Sequence, residues 1–316
     1  MTDLLIIGAG PAGLACAIEA ANNGLSSLIL EKGSVADAVR RFPTNMVFFS
    51  TPELLEIGGV PFIISTMRPT RVDAVRYYQR VAAQLRLPVK PATAALAIEK
   101  RSGAFRVRTN SGEFESKYVV DATGYFDDPN PFPVPGADLP KVLRYYTEPY
   151  EYAGREVAIV GGKNSAVDAA LELFRNGVKV TIIHRGPAFS DGVKYWMLPD
   201  IENRRKAGEV RVLFETTVAE VRENSLVLSG EHAGEIANDI LFPLIGYTPT
   251  RALLKSAGVR VNPETLGPVH DPATFETNVE GLFVAGSIAA GRLNNRIFIE
   301  NGRLHGASVV RAILKK

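Results

Sequence analysis

The stretch Leu4-Leu5-Ile6-Ile7-Gly8-Ala9-Gly10-Pro11-Ala12-Gly13 decides how this chain is read. Four apolar residues make a strand that runs into a glycine-rich turn. A helix, Leu14 to Asn23, follows, and a second apolar run, Ser27 to Leu30, ends in Glu31-Lys32. Strand, turn, helix, strand and acid is the order of a dinucleotide-binding βαβ unit. The glycines have separate tasks. Gly8 permits the tight turn, Gly10 lets backbone approach a pyrophosphate with no Cβ in the way, and Gly13 lets the helix pack close to the strand. Pro11 and Ala12 complete the turn as candidate cofactor contacts, and the helix N-terminus that follows offers free N–H groups and a partial positive charge to phosphates. Glu31, 18 residues after Gly13, is placed to accept hydrogen bonds from an adenosine ribose, with Lys32 beside it.

The pattern recurs. Glu156-Val157-Ala158-Ile159-Val160 is a strand, followed by Gly161-Gly162-Lys163-Asn164-Ser165-Ala166, a helix from Val167 to Asn176, and the strand Lys179 to Ile183. The two glycine turns lie 153 residues apart, which makes the chain an internal repeat of one βαβ unit. Gly162, Lys163, Asn164 and Ser165 are the candidate pyrophosphate contacts, although Lys163 stands where the fingerprint has its middle glycine. His184-Arg185 ends the second strand, so a cation stands where the first unit has an acid. A cation there suits a ribose 2′-phosphate and favours NADP(H) over NAD(H), with Lys194 as a second cation; a surface arginine is the plain alternative. One acid and one cation imply two different nucleotides, FAD in the first unit and NADPH in the second.

Outside these units the chain supplies connections and further candidates. Val35 to Arg41 reads as helical, and Phe42 to Pro52, bracketed by prolines, as an extended loop whose Phe49 and Ser50 are candidates to line a cofactor cleft. Pro69 to Leu87 reads as a helix with Pro69 near its first turn. Arg68, Arg71, Arg76 and Arg80 make a basic face, read as a solvated face with a site for an acidic substrate as the alternative. Residues 89–121 read as short strands with turns at Ser102-Gly103 and Asn110-Ser111-Gly112. Tyr118 to Asp121 is a strand ending in Ala122-Thr123-Gly124, small residues that let the chain pass close to a bound cofactor. The Pro-rich run Asp127 to Pro140 reads as a connection between domains. Asp239 to Tyr247 mirrors the Ala-Thr-Gly crossing and returns the chain to the first domain. Gly281 to Ser287 is strand into turn, with Gly286 and Ser287 as candidate FAD contacts. A helix from Phe298 to Leu314, interrupted by Gly302 and Gly306, puts Phe298 and Ile299 at an N-terminus that can face a flavin.

The fold class that results is α/β, with two Rossmann-like three-layer ββα dinucleotide-binding domains. The FAD-binding domain is discontinuous, residues 1–128 and 245–316, and residues 129–244 bind NADP(H). With 316 residues, 46% hydrophobic and 22% charged, the chain has the composition of a globular protein of two ordinary domains. A net charge of +2 argues against nucleic acid as a partner. No stretch is long and apolar enough to span a bilayer, and the start lacks the basic region of a signal peptide. A cytoplasmic enzyme is expected, and a homo-oligomer is compatible with it. One cysteine, Cys16, excludes a disulfide within the chain. Four scattered histidines give no zinc-like spacing, so no metal is expected.

Taken together, Gly8 to Gly13, Ala122 to Gly124, Gly161 to Asp168 and Leu282 to Gly286 resemble the low-molecular-weight thioredoxin reductase branch of the two-dinucleotide-binding flavoproteins. Thioredoxin reductases carry Cys-x-x-Cys shortly before the second glycine turn. Here Arg144 to Tyr152 contains no cysteine. A closer likeness rests on Pro43-Thr44 with Phe48-Phe49-Ser50, Ile57 to Phe62, Gly136 to Val142, Gly162 to Ala166, and Ile297 to Gly302 with His305-Gly306. These blocks are similar to the bacillithiol disulfide reductases. The likeness implies an FAD- and NADPH-dependent enzyme that reduces the disulfide of a low-molecular-weight thiol, a small-molecule partner. Members often have a cysteine directly after the Gly-Pro of the first turn, where this chain has Ala12. Cys16 lies one helical turn further along the same face and reads as a buried apolar residue.

Other readings stay open at this point. Thioredoxin-reductase-like ferredoxin– or flavodoxin–NADP reductases share the missing cysteine pair. Flavin monooxygenases resemble the chain around Phe42 to Phe62, but their Phe-x-Gly-x-x-x-His linker motif is absent. A non-catalytic nucleotide sensor is the reading from a different class. For the disulfide reductase, Tyr125, Phe49, Tyr145 and His305 are candidates to line the site. His305 is the candidate catalytic residue, a proton donor to a leaving thiolate, with a structural histidine on the last helix as its alternative.

Overall fold

Residues 1–293 and 296–316 are described by a computed structural model. In chain order its first elements are β1 (Thr2–Ile7), α1 (Pro11–Asn22), β2 (Ser27–Leu30), α2 (Asp37–Arg40), α3 (Pro52–Leu55), α4 (Arg71–Gln84), β3 (Val89–Lys90), β4 (Ala95–Arg101), β5 (Ala104–Thr109) and β6 (Gly112–Asp121). The middle of the chain forms β7 (Glu156–Val160), α5 (Asn164–Arg175), β8 (Lys179–Ile183), α6 (Leu198–Lys206), β9 (Arg211–Leu213), β10 (Thr216–Val221), β11 (Ser225–Gly230), β12 (Gly234–Ala237) and β13 (Ile240–Pro243). The last part forms α7 (Ala252–Ser256), β14 (Leu282–Val284), α8 (Ile299–Gly302) and α9 (His305–Ile313). The chain divides into two compact units, Met1–Asp128 with Tyr247–Lys316, and Pro129–Gly246.

In the first unit the strands run in the order β3-β2-β1-β6-β5-β4, with β14 also beside β6. β1 is central and parallel to both neighbours, Ile7 standing opposite Leu30 on one side and Asp121 on the other. The long strand β6 is shared along one edge. Its first half pairs antiparallel with β5, and its last three residues pair in parallel with β14. Leu4 to Ile7 are buried because both faces of the sheet are covered, which explains a continuous apolar run in place of alternation. One face packs Leu4, Ile6, Val120 and Phe283 against α1, α4 and α9. The other packs Leu5, Ile7, Val119 and Val284 against the β4–β5 meander and α7.

The second unit repeats this plan. A parallel sheet β13-β7-β8-β9 carries α5 and α6 on one face and the antiparallel meander β10-β11-β12 on the other. β13 pairs with β7 as β6 pairs with β1. The α/β class with two Rossmann-like three-layer ββα units is therefore the fold found.

Several local expectations differ from what is found. α4 begins at Arg71, because Thr70 and Asp73 form a reciprocal capping box; Pro69 precedes the cap and is not in the first turn. Pro52, the expected end of the loop from Phe42, is instead the first position of the helix Pro52–Leu55. The Pro-rich run is no free connector. Phe132, Val134 and Leu139 pack into the core beneath the second meander, and Pro135 O accepts the Val221 N–H. The final helix is two helices, α8 and α9, where continuity with interruptions was expected. No helix among the described residues is long and apolar enough to cross a membrane.

Candidate functional site

In the first unit the turn after β1 shows why its glycines are glycines. Gly8 sits at φ +106°, and a Cβ there would come within 2.7 Å of Ala122 O. A Cβ on Gly13 would lie 2.0 Å from Gly8 O. Both are fixed by packing within the chain. Gly10 is not. Its dihedrals, φ −75° and ψ 176°, suit any residue, and no atom of the described residues lies within 4 Å of where its Cβ would be. Its missing side chain keeps clear the space in front of the α1 N-terminus. Pro11 fills the first helical position, and the N–H groups of Ala12 and Gly13 are the donors that an α-helix leaves without internal acceptors. These features fit a pyrophosphate.

Glu31 ends β2 and is buried. Its Oε2 accepts the Ala9 N–H at 2.7 Å and its Oε1 the Gly33 N–H at 2.8 Å. Burial pushes its pKa up, and the two N–H groups oppose that. Each oxygen keeps a further lone pair for a ribose hydroxyl. Lys32 is engaged elsewhere, 2.6 Å from Asp127, which Arg41 also pairs.

The chain leaving β6 passes directly over this turn. Ala122 N–H donates to Ile7 O at 2.9 Å, and Asp121, read in the sequence only as a strand residue, holds Thr123. Gly124, at φ +76°, brings the crossing to Ser287: a Cβ on it would be 3.6 Å from Ser287 Oγ. Gly286, at φ +75°, faces Ala12, and a Cβ on Gly286 would stand 2.8 Å from that of Ala12. The Gly286 N–H donates to His305 Nδ1 at 3.1 Å. The buried His305 ring stacks on Phe275 at 3.9 Å, and Phe275 in turn stacks on His270. Burial, with His270 nearby, pushes the His305 pKa down to about 4, so the ring is neutral and Nδ1 is an acceptor.

Ser50 and the Phe298–Ile299 end of α8 are brought together, since Ser50 Oγ donates to the Glu300 carboxylate. Arg303 ties the same helix down by donating to Glu56 O and, at 3.2 Å, to Glu300 O. Phe49 and Phe298 are exposed, with the Arg68 guanidinium 5.6 Å from the Phe49 ring centre. Ile299 and Tyr125 are half-buried. Nothing in the local sequence announces the Ser50–Glu300 contact, because its partners are 250 positions apart. Cys16 is fully buried on α1 against α9: a Cβ on Gly306 would lie 2.9 Å from Ala15 O and Cys16 N. Burial pushes its thiol pKa up to about 12.

The second unit repeats the turn with different chemistry. Gly161 is at φ +154°, where a Cβ would meet Leu244 O at 2.7 Å. Gly162 makes room for the His184 ring, which a Cβ would approach to 2.5 Å. Burial and the neighbouring Arg185 hold the His184 pKa below its ordinary value. Asn164 clamps the loop after β8. It donates from Nδ2 to Gly192 O at 2.9 Å and accepts the Lys194 N–H at 2.8 Å. This brings the Lys194 ammonium to 4.0 Å from Asp168 and 5.5 Å from the Trp196 ring. Lys163, Ser165 and Arg185 are exposed at the carboxyl ends of the strands, and Tyr145 is half-buried in this unit. Cations, a helix N-terminus and a glycine turn suit the phosphates of a nicotinamide nucleotide.

Comparison with known proteins agrees with this chemistry. The sequence profile of the pyridine nucleotide-disulphide oxidoreductases matches residues 5–286. Bacilliredoxin reductase Bdr of Bacillus subtilis is 41% identical over 315 residues, covering 99% of this chain and 97% of that one. Two solved structures, bacillithiol disulfide reductase Bdr (YpdA) from Staphylococcus aureus and from Bacillus cereus, both superpose with TM-score 0.97. They are 38% and 40% identical and cover 99% of this chain, and 98% and 99% of theirs. The chain belongs to the pyridine nucleotide-disulphide oxidoreductase family and is, as a Bdr-like member, an FAD-dependent oxidoreductase that uses NAD(P)H.

Proposed function

We propose that the chain reduces the disulfide of a low-molecular-weight thiol of the bacillithiol kind, taking its electrons from NADPH. The likeness to Bdr over nearly the whole of both chains is the observation that carries this reading. FAD, when bound, passes on in pairs the electrons it accepts from the nicotinamide. In this reading Glu31 holds the adenosine ribose, and the turn from Gly8 to Gly13 the pyrophosphate. Arg185, with Lys194, holds the 2′-phosphate that distinguishes NADPH, and Lys163 stands by the pyrophosphate. Lys32 acts indirectly, by binding Asp127 and bracing the loop after the crossing. His305 keeps the Gly286 turn in place through its Nδ1, a positioning role in place of the proton donation expected from sequence. The single cysteine, buried and unreactive, supplies no thiol to a dithiol relay, so reduction proceeds without a Cys-x-x-Cys pair. One unpaired thiol also suits a cytoplasmic setting.

Anaerobic stopped-flow tests the proposal. NADPH bleaches the flavin, and bacillithiol disulfide then restores its colour. Failure of the disulfide to reoxidise it, with ferredoxin or flavodoxin succeeding, moves the protein to the electron-carrier reading.

A further inference from the structure

Asp121 closes β6 one residue before the Ala122-Thr123-Gly124 crossing. Its side chain is 1% exposed. Oδ1 accepts both donors of Thr123, the N–H at 3.0 Å and the hydroxyl at 2.7 Å. Oδ2 has no hydrogen-bond partner among the described residues. In register Asp121 stands between Ile7 of β1 and Val284 of β14, on the face filled by Ile7, Val119, Val284 and Ile288. None of these neighbours is charged. The other ionisable groups of the same site are Glu31, which follows β2 and whose oxygens are taken by Ala9 and Gly33, and His305, whose Nδ1 holds the Gly286 turn.

This is a costly choice of residue. Asparagine would satisfy Thr123 equally well without burying a charge beside a bare oxygen. The crossing that Asp121 holds rests on the backbone of the phosphate turn: a Cβ on Gly8 would lie 2.7 Å from Ala122 O and 3.3 Å from Thr123 Cα. We propose that Asp121 is a positioning residue of the FAD site, which sets the crossing through Thr123 and couples its own charge to the charge received by the Gly8–Gly13 turn. Burial lifts its pKa to about 6, against the pull of Thr123. A pyrophosphate on the adjoining turn lifts it further, since like charges disfavour each other. FAD binding therefore takes up a proton at Asp121, and affinity falls as pH rises through about 6.

The test uses the full-length apoprotein and FAD, titrated by flavin fluorescence from about pH 5 to about pH 8, and by calorimetry in two buffers to count protons. Wild type should lose affinity on the order of tenfold across that range and take up protons on binding. Asp121→Asn should match wild type at the acid end and lose that part of the pH dependence and uptake; what remains belongs to Glu31. Asp121→Ala should bind FAD more weakly at every pH. An Asp121→Asn protein with the wild-type profile and uptake overturns the charge coupling. Asp121→Ala with wild-type affinity overturns the positioning role. If Asp121→Ala does not fold, Thr123→Val, which removes one of the two bonds, decides the same point. None of these outcomes depends on which disulfide the enzyme reduces.

Discussion

Glu31 directly follows β2 and Arg185 follows β8 by one residue more, with His184 at the position that matches Glu31; Glu31 and Arg185 differ in sign. Glu31 is buried with both oxygens bound to backbone, while Arg185 is exposed with its guanidinium in solvent. Replacing Arg185 by alanine should leave stability unchanged and raise the KM for NADPH about tenfold or more, as loss of a charge-assisted phosphate contact does. The KM for NADH should barely move. Equal changes for both nucleotides would remove the 2′-phosphate assignment. Both stand out as candidates in the sequence because each lies just past the strand that follows its glycine turn. The tasks of Asp121 and His305 were not legible there. The meaning of Asp121 depends on an apolar face assembled from β1 and β14, and that of His305 on Gly286 and on a ring, Phe275, thirty positions away. No local pattern marks a neutral histidine as an acceptor.

Among the elements, the glycine turn and the helix contact of α1 separate binding from folding. Gly10→Ala adds a methyl to open space, so the apoprotein should unfold as wild type does, yet bind FAD at least about tenfold more weakly. Gly306→Ala drives a methyl into the backbone of Ala15 and Cys16, where α9 crosses α1. That variant should lose about 1–3 kcal/mol in chemical denaturation, the usual cost of overpacking. If Gly10→Ala is the destabilised one, the space in front of α1 is structural and not a ligand's. Both βαβ units and all the strands of the first meander could be read ahead of the structure, since apolar runs, glycine turns and an acid or cation recur at short range. The capping box at Thr70 was also local but was hidden behind the nearby Pro69. The burial of Phe132 to Leu139 could not be read, because proline-rich composition describes a linker equally well until β10 and β11 supply the surface it covers.

For the molecule as a whole, the second unit is an insertion whose ends meet. Thr248 N–H donates to Asp128 O at 3.0 Å on one side of the junction, and Asn130 N–H to Gly246 O at 2.9 Å on the other. Deleting residues 129–246 and joining the ends with a short glycine-serine linker should leave a protein that binds FAD, seen in its visible spectrum, and that NADPH no longer reduces. Loss of the flavin in that protein would show that the first unit depends on the second. The same connectivity sets an order of assembly on the ribosome. The stretch that opens the chain cannot finish its sheet until β14 emerges to pair with β6, nor seat α1 until α9 arrives, after the whole of the second unit. The second unit has all its parts in one continuous stretch, and domains fold as they are completed during synthesis. The first βαβ unit is therefore made before the second unit yet completed after it, and its apolar α1 face waits for a helix that translation has yet to deliver.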